Sequence, residues 1–489
     1  MRDNMTSYKV KSIRYNFIMN FILTVSNFIF PLLTFPYVSR VLQVEANGTV
    51  AYVSSIVSYF MMIASLGIPT YGIRAAAKVR DDKRKLSTIV QELLIINVIL
   101  VFLVLIAYFI MLFTLPSMYV YKELFYINAI GILLNVIGVG WFFQAIEQYD
   151  YITLRSIFFR LLSLAMIFLL IHSPEDYIMY AGVSVFASVG SNILNFKRLF
   201  KYISFKKTEI YHFKPHIKPI LILFAQTLVV SIYTNLDTVM LGSMKGTYDV
   251  GLYTAATKLK GILLSVVTSL GNVLLPRMSY YANNQMKDRF LEIMTKALNF
   301  TLFLSLPLSV FFISVSKESI LLLAGEGYLG AVIGMQFLMF AVIPNALTGV
   351  LGIQVLTPLE KEKYVLLSVT SGALIDLLLN FILIPSYGVS GAAFATMIAE
   401  FVVLCVQIYY TRDLLFKIIH QIVGIRYLFT VGISTLGMIL AKNLQLSYFW
   451  LLCVEGIIFF GSYAVILVLL KDDFIINFLE NFYKKLKKF

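Results

Sequence analysis

The sequence predicts an all-α polytopic membrane protein of about 14 transmembrane helices: two six-helix lobes in parallel repeat around a central cavity, plus two C-terminal helices. Three observations carry that prediction. Of the 489 residues, 59% are hydrophobic and only 13% charged, whereas soluble domains run near 45–50% apolar and about 25% charged. The apolar residues come in blocks of about 20, the length that crosses about 30 Å of hydrocarbon at 1.5 Å per residue. Lys and Arg gather in the connections between the blocks, as the positive-inside pattern requires.

Taken in order, the blocks predict spans over residues 13–35, 49–71, 88–113, 124–146, 153–171, 177–196, 218–241, 250–274, 291–314, 328–356, 364–385, 389–411, 425–442 and 448–470. With the N-terminus inside, the inner segments hold about 33 of the 40 Lys and Arg residues. They include IRAAAKVRDDKRK (73–85), FKRLFKYISFKKTEIYHFKPHIK (196–218) and FYKKLKKF (482–489). The outer loops hold Arg40, Lys122, Lys245, Lys317 and Lys442. That asymmetry predicts a multi-pass membrane protein with both termini cytoplasmic.

The net charge of +14 is accounted for by these loops, so no nucleic-acid partner is expected. The basic connection after the sixth span could also meet anionic lipid head groups. The two cysteines, Cys405 and Cys453, both fall inside apolar blocks, which allows no disulfide framework and no metal cluster. His172, His212, His216 and His420 lie at loops or span ends, so no metal site is expected. The start, MRDNMTSYKVKSIRYN, leads into a full-length span rather than a short apolar region with a small-residue cleavage site, so no removed signal peptide is read there.

The chain divides as an N-terminal lobe (1–196, six spans), a basic cytoplasmic linker (197–217), a C-terminal lobe (218–411, six spans), and a last pair of spans with a basic cytoplasmic tail (412–489). A weak internal repeat supports the two lobes. NFIFPLLTFPYVSRVLQVEANGTVAYVSSIV (27–57) and VSIYTNLDTVMLGSMKGTYDVGLYTAATKL (230–259) share a polar-dotted helix, a short outer turn and a re-entry at Gly48 or Gly251. Six spans separate the copies, an even number, so both carry the same orientation and the repeat is parallel.

Polar stripes on transmembrane helices mark helix contacts or a wet cavity. In the first span Asn16, Asn20, Thr24, Asn27, Pro31 and Thr34 fall within roughly 80° of one another at 100° per residue. In the eighth, Thr254, Lys258, Gly261, Ser265, Thr268 and Asn272 do the same; in the seventh, Gln226, Tyr233, Thr234 and Asp237 cluster. Lys258 stands about 12 Å into its helix, and Lys260 about 200° round from it. Two readings of Lys258 stay open: a cavity cation, or a strut that pairs with Asp237. Inserting a mid-depth lysine costs roughly 2.5–3.5 kcal/mol or more, so a partner or a wet cavity has to offset it. Asp237, Asp376, Glu400 and Glu455 lie within the predicted spans and could carry a coupling H+ or Na+, or could lock helices. Pro31, Pro36, Pro69, Pro276, Pro307, Pro344 and Pro385 mark places where a helix can bend.

The stretch VSRVLQVEANGTVAYVSSIVSYFMMIASLGIPTYGIRAAAK (38–78) resembles the opening signature of Wzx-type polysaccharide flippases, within the superfamily that also holds multidrug antiporters and lipid II flippases. GWFFQAIEQYDYITLRSI (140–157), NLDTVMLGSMKGTYDVGLYTAATKL (235–259) and IPSYGVSGAAFATMIAE (384–400) agree in order. One departure is Gln43, where that family usually has Gly, which bears on the tightness of the first outer turn. The resemblance implies a fourteen-helix, two-lobe fold. It also implies transport of undecaprenyl-pyrophosphate-linked oligosaccharide repeat units from the cytoplasmic to the outer leaflet by alternating access, for export of a surface polysaccharide.

A pyrophosphate needs cations and a sugar needs hydroxyl and amide partners. The candidate substrate residues are therefore Lys258, Arg40, Asn27, Asn272, Asn20 and Thr254, with Asp237, Asp376 and Glu400 for ion coupling. No catalytic residue and no cofactor beyond a coupling H+ or Na+ is expected. Expected partners are the lipid-linked oligosaccharide, membrane lipids, a polysaccharide polymerase and glycosyltransferases. Two rivals fit less well. A cation-coupled drug antiporter of the same superfamily wants carboxylates in its cavity rather than lysine. A membrane glycosyltransferase or polymerase needs a large or carboxylate-rich loop, and none is present.

Overall fold

A computed structural model describes residues 11–206, 209–268, 271–441, 446–472 and 475–476. Among these residues every regular element is a helix. By contacts the chain divides into two compact units, Met1–Gly242 and Ser243–Phe489.

The first unit contains α1 (Ile13–Ser65), α2 (Ile68–Lys78), α3 (Lys83–Thr114), α4 (Pro116–Tyr119), α5 (Lys122–Val136) and α6 (Gly140–Ala145). It continues through α7 (Tyr149–Leu170), α8 (Tyr177–Val185), α9 (Asn192–Leu199) and nearly all of α10 (Lys214–Met244). The second contains α11 (Thr247–Thr268), α12 (Gly271–Asn283), α13 (Lys287–Ser314), α14 (Ser316–Leu323), α15 (Val332–Thr348), α16 (Glu362–Ile418), α17 (Gly424–Ala441) and α18 (Tyr448–Leu469). The ends follow their caps. The Ser12 hydroxyl accepts from the Tyr15 amide at the start of α1, and the Asp82 carboxylate from the Arg84 and Lys85 amides at the start of α3.

Eleven helical stretches among the described residues are long and apolar enough to cross a bilayer, and Gly424–Leu440 is a shorter apolar helix. Two of the eleven, Tyr15–Lys78 and Glu362–Gln421, run 64 and 60 residues, far more than the ~20 that one crossing needs. Each holds a non-helical residue, Gln43 (φ 60, ψ −174) in α1 and Gly388 (φ 53, ψ −127) in α16. The sequence reading set separate spans over 13–35 and 49–71, and over 364–385 and 389–411. In the structure α1 and α16 persist through Pro31, Pro36 and Pro385 and break at Gln43 and Gly388, which lie in the gaps between those expected spans. The physical reason is that proline removes one backbone donor but keeps φ near −65°, so the helix runs on, whereas a reversal needs a residue in the left-handed region.

Each unit has its own cores. In the first, Leu86, Val90 and Leu93 of α3 pack with Trp141, Phe142 and Phe143 of α6 and with Ile220 of α10. In the second, Met294 and Leu298 pack with Leu351 and Val355, while Tyr427 and Val431 of α17 pack with Phe459 and Tyr463 of α18. Large apolar side chains such as Phe102, Phe113, Phe381 and Ile457 are exposed at 62–73%. A water-facing surface does not tolerate that, and a lipid-facing one does.

Candidate functional site

The most informative helix is α11. One face is buried in the second unit through Leu252, Ala256, Leu259, Leu263 and Val267. The other carries Thr254 (half-buried), Lys258 (exposed), Gly261 (exposed), Ser265 (half-buried) and Thr268 (exposed). A Cβ built at Gly261 would meet nothing within 4 Å, so this face is open. The hydroxyls of Thr254, Ser265 and Thr268 donate to carbonyls of their own helix, at 2.6–2.8 Å from Val250, Ile262 and Leu264. Their lone pairs stay available on the open side. Lys258 forms no ion pair among the described residues of its unit. The Asn272 side chain lies outside the described residues.

Lys260 has a different setting. Its ammonium lies 3.3 Å from Oε1 of Glu400, with side chains 13% and 3% exposed. The amide of Asn345 donates to the same carboxylate oxygen. Glu400 is thus held by a cation and an amide from two other helices, which is how a buried carboxylate is stabilised. Asp376 and Glu455 are also buried in this unit, at 0% exposure.

In the first unit the open stripe of α1 holds Asn20, Thr24 and Asn27, all exposed, with Pro31 and Thr34 half-buried. Asn16 shares their helical phase but is 6% exposed. Its amide reaches Glu147 at 3.3 Å, and Glu147 also accepts from Arg80 at 2.6 Å. Asn16 therefore belongs to a polar knot at the end of α1, not to the stripe. Arg40 is exposed, and its guanidinium donates to the Pro36 carbonyl at 2.6 Å. It stands three residues before the break at Gln43. Asp237 is buried in α10, 5% exposed.

Two features went unread in the sequence. Arg155 and Arg160 sit about 9 and 16 Å into α7 at 1.5 Å per residue, both half-buried. Arg160 donates to the Ser26 hydroxyl, and the Arg155 guanidinium lies 5.6 Å from the centre of the Tyr151 ring. Counting both with the inner basic segments concealed them. The signal was present in LRSIFFRL, where two arginines interrupt an apolar run. The second feature is a network around His216. Its ring nitrogens lie 2.7 Å from the Tyr71 hydroxyl and 2.8 Å from the Glu92 carboxylate. Glu92 also accepts from the His212 amide. Among the described residues no group of three His, Cys, Asp or Glu side chains could hold a metal ion.

Comparison with known proteins adds to this geometry. The family described as "Polysaccharide biosynthesis protein" matches residues 13–282, and the MatE family matches residues 222–382. A curated relative from Escherichia coli (strain K12), named "Putative O-antigen transporter", is 24% identical over 82% of this chain and 97% of its own length. A relative of the same name from Shigella dysenteriae is 23% identical over 80% of this chain and 97% of its own. Among solved structures, lipid II flippase MurJ in an inward closed conformation superposes with a TM-score of 0.74 at 14% identity, covering 94% of this chain and all of that one. An inward-facing multidrug resistance MATE family transporter reaches 0.52 at 12% identity over 78% of this chain and 96% of its own. These superpositions show the fold. The family match covers more than half of the sequence, and with it the Gln43 break, the α1 stripe and the α11 stripe: the chain belongs to the polysaccharide biosynthesis protein family.

Proposed function

We propose that this protein moves undecaprenyl-pyrophosphate-linked oligosaccharide repeat units from the cytoplasmic to the outer leaflet of a bacterial cell membrane by alternating access, with both termini cytoplasmic. The observation that carries the reading is Lys258, an exposed cation on a polar stripe of an otherwise apolar helix. A fixed ammonium there suits a diphosphate, whose charges cannot enter hydrocarbon unpaired. The relatives named as O-antigen transporters support a polysaccharide cargo. The exposed amides of Asn20 and Asn27, and Thr254, are the sugar partners in this reading, with Arg40 as a further phosphate cation. A polymerase and glycosyltransferases are the natural suppliers and consumers of such a unit.

For ion coupling the candidates are the buried carboxylates Asp237, Asp376 and Glu400. Glu400 is engaged by Lys260 and Asn345, and a carboxylate so held is a poor H+ or Na+ carrier.

The test is reconstitution. The purified chain is placed in liposomes with a fluorescent undecaprenyl-pyrophosphate oligosaccharide, and a membrane-impermeant quencher reports the label on one leaflet. The expected result is equilibration between leaflets that empty liposomes lack, slowed about tenfold or more by Lys258→Ala, the loss of one charge-assisted contact worth roughly 1.5–3 kcal/mol. No equilibration by the wild-type chain would overturn the proposal. Equal rates for both chains would remove Lys258 from it.

A further inference from the structure

A second charged site lies in the first unit, apart from both stripes. A cavity of about 600 Å³ opens between α2 and the start of α10, lined by Arg74, Lys78, Lys218, His216, Tyr71 and Ile222 among others. No carboxylate lines it. Arg74, Lys78 and Lys218 are all exposed, and none forms an ion pair among the described residues. Three like charges around one hollow repel each other, so the fold holds them together only because the backbone beneath is fixed.

That fixing is built. His216, 6% exposed, bridges Tyr71 of α2 and Glu92 of α3. At Gly67, with φ +71, an added Cβ would stand 2.9 Å from the Ile220 carbonyl oxygen and from the Phe224 amide nitrogen, so the start of α2 meets the α10 backbone directly. Gly72 meets the Trp141 ring in the same way, at 2.5 Å from a built Cβ. Arg74 and Lys78 are thereby set on one wall and Lys218 on the other.

We propose that this cavity binds the phosphoryl head group of an anionic lipid. Arg offers a planar fork and Lys a point charge, a combination suited to phosphate oxygens. Ile222, Leu223 and Val79 supply an apolar side for the chain below the head group. A leaflet phospholipid and a lipid pyrophosphate share this chemistry. The proposal holds whether or not the chain translocates its cargo, because it concerns binding alone. Tyr71, His216 and Glu92 act as positioning residues, setting α2 against α10.

The chain has two tryptophans, and Trp141 lies against the helix that carries Arg74. With Trp450→Phe, the full-length protein in phosphatidylcholine nanodiscs reports through Trp141 alone. Titration with inorganic pyrophosphate is expected to give a saturable fluorescence change. Arg74→Gln with Lys218→Gln should raise the half-saturating concentration at least tenfold. Lys201→Gln, an exposed lysine outside the cavity, should move it less than about twofold. Gel-filtration elution and helical circular dichroism establish that the variants are folded. No response to pyrophosphate, or equal weakening by Lys201→Gln, overturns the site and leaves only diffuse surface charge. Two competitors then assign the source. Phosphatidylglycerol that displaces pyrophosphate makes the occupant a leaflet phospholipid. Undecaprenyl pyrophosphate that displaces it where phosphatidylglycerol does not makes the occupant the cargo's own head group.

Discussion

Lys258 and Lys260 stand two residues apart on α11 and live in different worlds. Lys258 sits on the open stripe, in line with Gly261, where nothing approaches within 4 Å. Lys260 points into its own unit and is closed off by Glu400 and Asn345. Two residues are about 200° of helix, and that turn alone separates a charge held by the fold from one that the fold leaves open. A buried pair and an exposed cation carry different liabilities. Removing one member of the pair strands its partner in a low-dielectric interior, whereas removing an exposed lysine strands nothing.

The largest expected effect follows from that asymmetry. Lys260→Ala should leave Glu400 charged and uncompensated at 3% side-chain exposure, a penalty of about 3–5 kcal/mol. Most of the folded protein should vanish from the monodisperse peak in fluorescence-detected gel filtration. Lys260→Met combined with Glu400→Gln should restore the peak, because Gln still accepts from Asn345 and Met fills the lysine's volume. A well-folded Lys260→Ala chain would show that the pair contributes little.

Next in size is Lys258. Lys258→Ala should leave the gel-filtration peak intact while slowing lipid equilibration about tenfold or more, and Lys258→Arg should retain part of the rate because the charge remains. If Lys258 instead neutralises Asp237, the single change should damage folding, and adding Asp237→Ala should restore both yield and transport. Restoration of transport by that pair of changes would make Lys258 a strut and leave Arg40 as the phosphate cation.

The separation of the two lysines was legible because helical phase is a local property, read from residue spacing alone. The apolar blocks were legible for the same reason. Contacts between distant segments were not. Asn16 has the phase of the stripe, yet Glu147, 131 residues later, draws it inward. His216 looked like one more loop histidine, and its partner Glu92 lies 124 residues earlier. The breaks in α1 and α16 were legible as the gaps 36–48 and 386–388 between apolar blocks, but not the single residue that makes each, because a break is set by one positive φ rather than by a proline.

The smallest expected effect concerns those reversals and compares the two units once more. Counting back five residues from Gly48 and from Gly251, the repeat sets Gln43 against Gly246. Both have positive φ, 60° and 99°, taken by glutamine in one unit and by glycine in the other. With ψ at −174°, Gln43 lies in a region populated almost only by glycine, at a cost of order 1–3 kcal/mol. Gln43→Gly should relieve that strain but concede about 0.5–1 kcal/mol of chain entropy. The net gain is then about 1 kcal/mol, and the melting midpoint followed by gel filtration should rise by a few degrees at most. The reciprocal change, Gly246→Gln, should lower it by a similar amount. A midpoint that falls with Gln43→Gly would mean that the contacts of the glutamine outweigh the strain of its backbone, and that the first turn is held by its side chain where the second is held by the absence of one.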